Sequence, residues 1–417
     1  MATAQQTEAS HGVPASRQLV QRVRIRNYKS IGRCDVPLGP FTVLVGRNGA
    51  GKSNFLDALR FVSDSLLTSL DHAIKSRSGT KAVRRQSTGH PHNFAVVLTL
   101  GLPDWSEAVY GFEVAAKPDG GFWVKEENLR ITSARGETTA HYRIVEGRVV
   151  KSSHPTMPPA VSDRLYLVVA AGLPEFRGAY DALTSMGFYN LNPQSMKELQ
   201  SPDAGELLHR DGDNIASVIS RLAKDAPHEK KRCEQYLNKI VSGIVGMDRV
   251  QLGPRETVEF RQDVEGSSHP WRFHAANMSD GTLRALGVLV AVSQLVYPTS
   301  RIRLVGIEEP ETALHPAASG ALMDALDEAS EHTQILVTTH SADLLDQMEA
   351  APSGILAVQA RKGETFIAPL SEASKDAIRD HLYGAGELLR MDQIEPDEQD
   401  IARQKQIPLF DSEIPES

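Results

Sequence analysis

The stretch "GRNGAGKS", Gly46 to Ser53, follows the apolar run "FTVLV" and precedes Phe55, Leu56, Leu59, Val62, Leu66, Leu67 and Leu70 on one helical stripe. A strand that turns through three glycines into an amphipathic helix admits few folds. The turn needs backbone without side chains. The helix it opens presents free N–H groups at the positive end of its dipole. The spacing G-x-x-x-x-G-K-[ST] adds a lysine and a hydroxyl at the helix start, the arrangement that cradles the phosphates of ATP. Lys52 is placed to reach the β- and γ-phosphates and Ser53 to hold Mg²⁺. Gly46, Arg47, Asn48, Gly49, Ala50, Gly51 and Asn54 supply the rest of the cradle.

Three later stretches belong beside it. In "RLVGIEEPETALHP" the run Leu304, Val305, Ile307 reads as a buried strand, with Glu308 and Glu309 emerging at its carboxyl end. Doubly wound sheets bind ligands at that end of their strands. Neighbouring strand residues point to opposite sides, so the two acids can differ in task. One can complete a Mg²⁺ shell and the other can activate water. In "QILVTTHSADLLD" a strand leads to His340 and to Ser341 as an N-cap. In "NMSDGTLRAL", Ser279 is an N-cap and Asp280 suits a first turn, while Gly281 leaves a bare helix N-terminus fit for an anion.

From residue 277 onward helices over 280–296, 317–330 and 342–349 alternate with strands over 302–307 and 334–339, which predicts a parallel sheet with crossover helices. Residues 19–46 read as strand, turn, strand. Between 93 and 150 the period is two, which predicts antiparallel strands. The expected divisions are a disordered tail over 1–18, a P-loop half with the antiparallel region over 19–170, and a helical insertion over 171–245. The signature, acidic-strand and histidine half follows over 246–370, and a charged, partly flexible extension over 371–417. No heptad run persists over three repeats, so no long coiled coil is expected.

Two cysteines, Cys34 and Cys233, cannot build a disulfide framework and point to a reducing, cytoplasmic setting. They leave no zinc spacing either. The longest apolar run, Leu286 to Tyr297, is too short for a membrane span. A net charge of −8 argues against a chain coated in nucleic acid. Local basic patches remain: "KSRSGTKAVRR" (75–85), within a loop over 75–92, and "HEKKR" (228–232). Either can meet a DNA backbone or be a solvated face.

In chain order, the P-loop, the Ser-Asp-Gly helix, the acidic strand end and the histidine resemble the ABC-type ATPases. "MSDGT" (278–282) stands where that family has a Leu-Ser-Gly-Gly-Gln type signature. Asp280 and Thr282 depart from its commonest form. The family's signature helix caps the γ-phosphate of ATP held by the opposite subunit. The resemblance therefore implies a homodimer or higher homo-oligomer with two composite sites, in which Ser279 and Gly281 serve the neighbour's ATP. "LVQRVRIRNYKSI" and "IEEPETALHP" are similar to the SMC/RecF/OLD-like branch of DNA-repair and phage-defence ATPases. That likeness implies that Lys29 and Ser30 lie near the nucleotide, that Glu308 is the Mg²⁺-associated acid and that Glu309 is the catalytic one. It puts Ala313 to His315 in the loop that crosses the interface and makes His340 the switch histidine. Gln194 is the candidate for the glutamine loop.

The implied fold is α/β: a P-loop NTPase of ABC-ATPase type, a mixed sheet with an antiparallel β region and an inserted helical lobe. Lys52 and Ser279 stand 227 residues apart, wider than a transporter ATPase implies. The segment after His340 lacks the strand-rich Glu and Asp-x-Asp pattern of a Toprim nuclease, so any nuclease or Toprim-like effector is expected as a separate partner. The expected function is ATP hydrolysis coupled to DNA or to an effector protein. The alternatives are a non-hydrolysing ATP-dependent scaffold and a small-molecule kinase, in which the signature helix and the histidine would be idle.

Overall fold

Alternation along three short apolar strands decides how the molecule is layered. In a computed structural model of the chain, residues 18–87, 91–118, 120–294, 302–348 and 354–410 are described. The strands are β1 (Val20–Tyr28), β2 (Ile31–Pro37), β3 (Phe41–Val45), β4 (Asn93–Gly101), β5 (Glu107–Ala116), β6 (Phe122–Thr132), β7 (Thr138–Val145) and β8 (Arg148–Ser152). They continue with β9 (Met186–Tyr189), β10 (Ile244–Leu252), β11 (Arg255–Gln262), β12 (Trp271–His274), β13 (Leu304–Glu308), β14 (Gln334–Thr339), β15 (Ile355–Arg361) and β16 (Glu364–Pro369). Among the described residues, thirteen of them form one sheet in the order β8-β7-β6-β5-β4-β1-β2-β16-β15-β3-β14-β13-β9. The other three form a small sheet, β10-β11-β12.

The large sheet has two halves. β9, β13, β14, β3 and β15 run parallel, and β8 to β2 form an antiparallel meander extended from β1. In the parallel half Leu44, Leu304 and Leu336 join one core with Phe55, Leu56 and Leu59 of the helix Lys52–Leu67. The alternate residues Val43, Val45, Val305, Ile307, Ile335 and Val337 join another with Leu283, Leu286 and Leu289 of the helix Asp280–Ser293. This is the period of two at work. The second helix is buried at every residue from Gly281 to Val292, because other elements wrap it on all sides.

Four features depart from the sequence reading. β2 lies between the two strands expected over 19–46. β9 interrupts the stretch expected to be wholly helical, which otherwise holds the helices Pro174–Leu183, Pro193–Lys197, Ile215–Asp225 and Pro227–Ile240. Four residues are too few to show a period against helical neighbours. The β15–β16 hairpin inserts into the middle of the sheet, between β2 and β3. Finally, the extension after 371 carries helices Glu372–Arg379, Ala385–Arg390 and Glu398–Gln406 and packs back on the sheet. There Leu409 is buried against Ala95 and Val97. The expected N-terminal tail lies, apart from Gln18, outside the described residues, as do 411–417.

The antiparallel half is fastened by one acid. Glu127 on β6 is fully buried. Its Oε1 accepts from Tyr142 Oη at 2.8 Å, Leu167 N–H at 2.8 Å and Tyr110 Oη at 3.2 Å, and its Oε2 accepts from Tyr166 N–H. Burial lifts its carboxyl from 4.5 to about 6, against the pull of these donors. A folded value above the unfolded one means that its contribution to stability is complete below pH 4.5 and is lost as pH rises through 6. Glu127→Gln should flatten stability across that window. It should also cost about 1–3 kcal/mol, because an amide N–H₂ faces a buried donor. Urea denaturation of both proteins between pH 4 and 8 checks this.

Candidate nucleotide site

The P-loop, the acidic pair and the histidine all leave the carboxyl ends of parallel strands. β3 opens into the P-loop, β13 ends at Glu308 and β14 leads to His340. The registers Glu308↔Thr338 and Thr339↔Val45 bring the three exits level. Gly49 and Gly51 take left-handed backbone, with φ of 76° and 105°. Arg47, Asn48, Gly49 and Ser53 are exposed, while Gly46 and Ala50 are buried. Lys52 is buried, and its Nζ donates to the Gly46 and Arg47 carbonyls at 2.7 and 3.1 Å. Burial pulls its pKa down, opposed by the carboxylates of Glu309 and Glu311.

The β15–β16 hairpin explains two of the glycines. A Cβ on Gly46 would lie 2.1 Å from the Val358 carbonyl oxygen, and one on Gly51 would lie 2.1 Å from Thr365 Oγ1. Thr365 Oγ1 donates to the Ala50 carbonyl at 2.8 Å and meets Ser30 Oγ at 2.7 Å. Asn54 Nδ2 donates to the same Ser30 oxygen at 2.7 Å. Ser30 therefore braces the cradle. Lys29, with φ of 49°, turns to Asp57, its Nζ 2.6 Å from Oδ2. Although burial opposes it, Arg77 and Lys29 hold the Asp57 carboxyl well below the usual range.

Glu309 also has a positive φ, 44°, at the strand exit. Its N–H donates to the Thr338 carbonyl at 2.9 Å, and its Oε1 lies 3.3 Å from His340 Nδ1. Glu308 turns the other way and accepts from Arg210 Nη2 at 2.8 Å. Glu311 is buried and accepts from Thr339 Oγ1, leaving Oε2 buried with no hydrogen-bond partner. Arg284, buried on the signature helix, donates to the carbonyls of Leu191 at 2.8 Å and of Glu308 and Glu309 at 3.0 Å each. The sequence reading missed Glu311, Arg210, Arg284 and Thr365. Glu311 alone carried a signal, as the third acid of "EEPE".

At the signature, Ser279 is exposed and caps its own helix, accepting from Thr282 N–H at 3.1 Å. Asp280 points away to Lys197, 2.5 Å from its Nζ. Gly281 is not bare. It is buried, and a Cβ there would lie 2.2 Å from the Ala313 carbonyl oxygen. Its smallness serves the packing of this helix on the loop after Glu309. Gln194 is exposed on the short helix after β9.

The basic segments are largely spoken for. Residues 75–85 are not an open loop but run from the end of the helix Leu70–Lys75 through the helix Thr80–Val83. Arg77 is buried between Asp57 and Asp64, Arg84 donates to the Pro91 carbonyl, and Arg85 pairs with Glu364. Lys75 and Lys81 stay exposed, Lys75 pairing with Asp71. Residues 88–90 of the expected loop lie outside the described residues. In "HEKKR", Lys230 is buried against Glu234 and Asp248, and Arg232 pairs with Glu328. Among the described residues no group of three His, Cys, Asp or Glu forms a metal cluster.

The cradle geometry separates two alanine substitutions. Gly49→Ala meets nothing within 4 Å and should cost only its backbone strain, about 1–2 kcal/mol. Gly46→Ala must push the β15–β16 hairpin aside and should cost more, with the hairpin's amides losing protection. Urea denaturation and hydrogen exchange of the two variants report this order.

The family model described as "AAA domain, putative AbiEii toxin, Type IV TA system" matches residues 41–150 and 187–346. The Old nuclease of Escherichia phage P2 is 22% identical over 356 residues, covering 79% of this chain and 57% of that nuclease. The chromosome partition protein Smc of Synechococcus sp. is 31% identical over 144 residues, 32% of this chain and 12% of that protein. The chain thus spans little more than half of the first relative and a small part of the second. A crystal structure of an Smc head bound to the C-winged helix domain of ScpA superposes with a TM-score of 0.53 at 16% identity, over 85% of this chain and 99% of its own, which shows the fold. Sequence, relatives and architecture converge: the chain belongs to this AAA-domain family, within the SMC, RecF and OLD branch of the ABC-type P-loop ATPase family.

Proposed function

We propose that the chain binds Mg·ATP, joins a second copy across two composite sites and hydrolyses the nucleotide. The opening and closing that result act on DNA or on an effector protein in repair or antiviral defence. The observation that carries this reading is the pair Glu309–His340, 3.3 Å apart at the strand edge beside the P-loop. Glu309, about one-third exposed, can take a proton from water. His340 steadies the carboxylate and shares its edge with the phosphates, so it can register their loss. Lys52, folded onto two loop carbonyls, has a third N–H for phosphate oxygens. The exposed Ser53 hydroxyl and the Glu308 carboxylate are hard oxygen donors that fit Mg²⁺, which when bound would neutralise charge on the phosphates.

The pairing rests on what stays open. Ser279 at the signature helix start, Ala313 and His315 in the loop after Glu309, and Arg47, Asn48 and Gly49 of the cradle are all exposed. Ser279 and the first turn of its helix are the γ-phosphate contact we assign to the opposite copy, with Gly281 supporting them from behind. The nuclease name of the phage P2 relative makes DNA or a separate nuclease or Toprim-like effector the partners to try first. Among the described residues no helix is long and apolar enough to cross a membrane.

Lys52→Ala should abolish nucleotide binding with an unchanged circular dichroism spectrum. Full retained turnover would remove the P-loop assignment. Glu309→Gln keeps shape and loses the base, so it should bind Mg·ATP and hydrolyse it about 10²–10⁴ times more slowly. It should also accumulate as an ATP-bound dimer in light scattering, and Ser279→Arg added to it should dissolve that dimer. If the wild type is already a stable oligomer, verified mixtures of Lys52→Ala and Ser279→Arg chains should regain part of their activity. No recovery would mean that Ser279 serves something other than a neighbour's ATP. Phosphate release by the wild type, with and without DNA, separates this reading from a non-hydrolysing scaffold.

A further inference from the structure

Arg210 has no part in the reaction drawn above, yet it holds one of its acids. It lies on the loop between the helices Pro193–Lys197 and Ile215–Asp225, and the backbone of that loop is fixed from both sides. The carbonyls of Arg210 and Asp211 accept from the Asn190 and Asn192 N–H groups at 2.9 and 3.0 Å. The Leu208 N–H donates at 2.7 Å to Oε1 of Gln294, a buried residue at the end of the signature helix. Gly212, with φ of 83°, fits where a Cβ would meet the Met196 side chain at 2.9 Å. The guanidinium, in contrast, is 46% exposed and reaches Glu308 Oε1 at 2.8 Å, where the carboxylate is only 18% exposed.

The other two cations of the site do not compete for this acid. Lys52 donates to the Gly46 and Arg47 carbonyls, and Arg284 donates to three carbonyls. A guanidinium and a divalent cation seek the same carboxylate lone pairs and repel each other. The geometry points to Arg210 as a latch on the metal site: it neutralises Glu308 when the site holds no metal and must release it for Mg²⁺ to bind. This rests on the ATPase reading. Arginine stays charged and forks readily onto phosphate, so a released guanidinium has a new partner in the triphosphate at the same edge. The backbone need not move for the swing, because its anchors at Asn190, Asn192 and Gln294 are independent of this ion pair.

The test uses the full chain and a fluorescent ATP analogue at fixed concentration, titrated with Mg²⁺, with binding as the readout. Arg210→Gln and Arg210→Ala should lower the free Mg²⁺ at half-saturation by roughly three- to fivefold, the worth of a partly exposed ion pair. Arg210→Lys should stay close to wild type. In a Glu308→Gln background, Arg210→Gln should cause no further shift. A wild-type Mg²⁺ dependence in both charge-removing variants overturns the latch, as does an undiminished shift in the Glu308→Gln background. A wild-type chain that takes up no analogue at any Mg²⁺ concentration overturns the ATPase reading beneath it, a result distinct from the other two.

Discussion

Parallel pairing of β13, β14 and β3 is the constraint on which the rest hangs. Parallel strands deliver their carboxyl ends to one side, and the registers here keep the exits within one residue of one another. Three segments far apart in the chain then present a lysine, two acids and a histidine along one edge. The backbone pays for this with local strain at the exits: Glu309 holds a positive φ that a non-glycine residue adopts at some cost. A hydrogen bond from its N–H to Thr338 and one from Arg284 to its carbonyl hold it there.

The motifs were legible because each couples a strand to a chemically specific exit. Strand 334–339 was read to the residue, and the acidic strand, the signature helix and the P-loop fell where their apolar periods placed them. What escaped was set by distant partners. β9 and the β15–β16 hairpin are strands because the sheet has places for them, and neither announces itself locally. The glycines show the same limit. Gly281 read as a bare anion site, and its smallness instead admits the Ala313 carbonyl. Gly46 and Gly51 read as phosphate-binding residues, and they also make room for Val358 and Thr365.

Charge was the least legible property. "KSRSGTKAVRR" read as either a DNA-backbone contact or a solvated loop, yet Arg77 is buried as the partner of Asp57 and Asp64. Asp57 gathers Tyr28, Lys29, Arg60 and Arg77 one turn into the helix that the P-loop opens. One member of a basic run thus became internal bracing of the cradle. Arg210 reverses the case: an unremarked arginine in a loop is the counter-charge of Glu308 at the strand exit. Composition counts charges, and only the fold assigns them to pairs.

The position of the β15–β16 hairpin bears on how the chain is made. Residues 355–369 occupy the slot between β2 and β3, which are separated by three residues in sequence. On a ribosome the P-loop emerges well ahead of its floor, Val358 and Thr365, which is synthesised some three hundred residues later. Until then β2 and β3 flank an unfilled gap, with exposed edges on both sides. Assembly of the sheet is therefore governed by contacts of very long sequence separation, which fold slowly. A nascent chain displays its most recognisable motif long before it can shape it, and during that interval its open edges are exposed to mispairing.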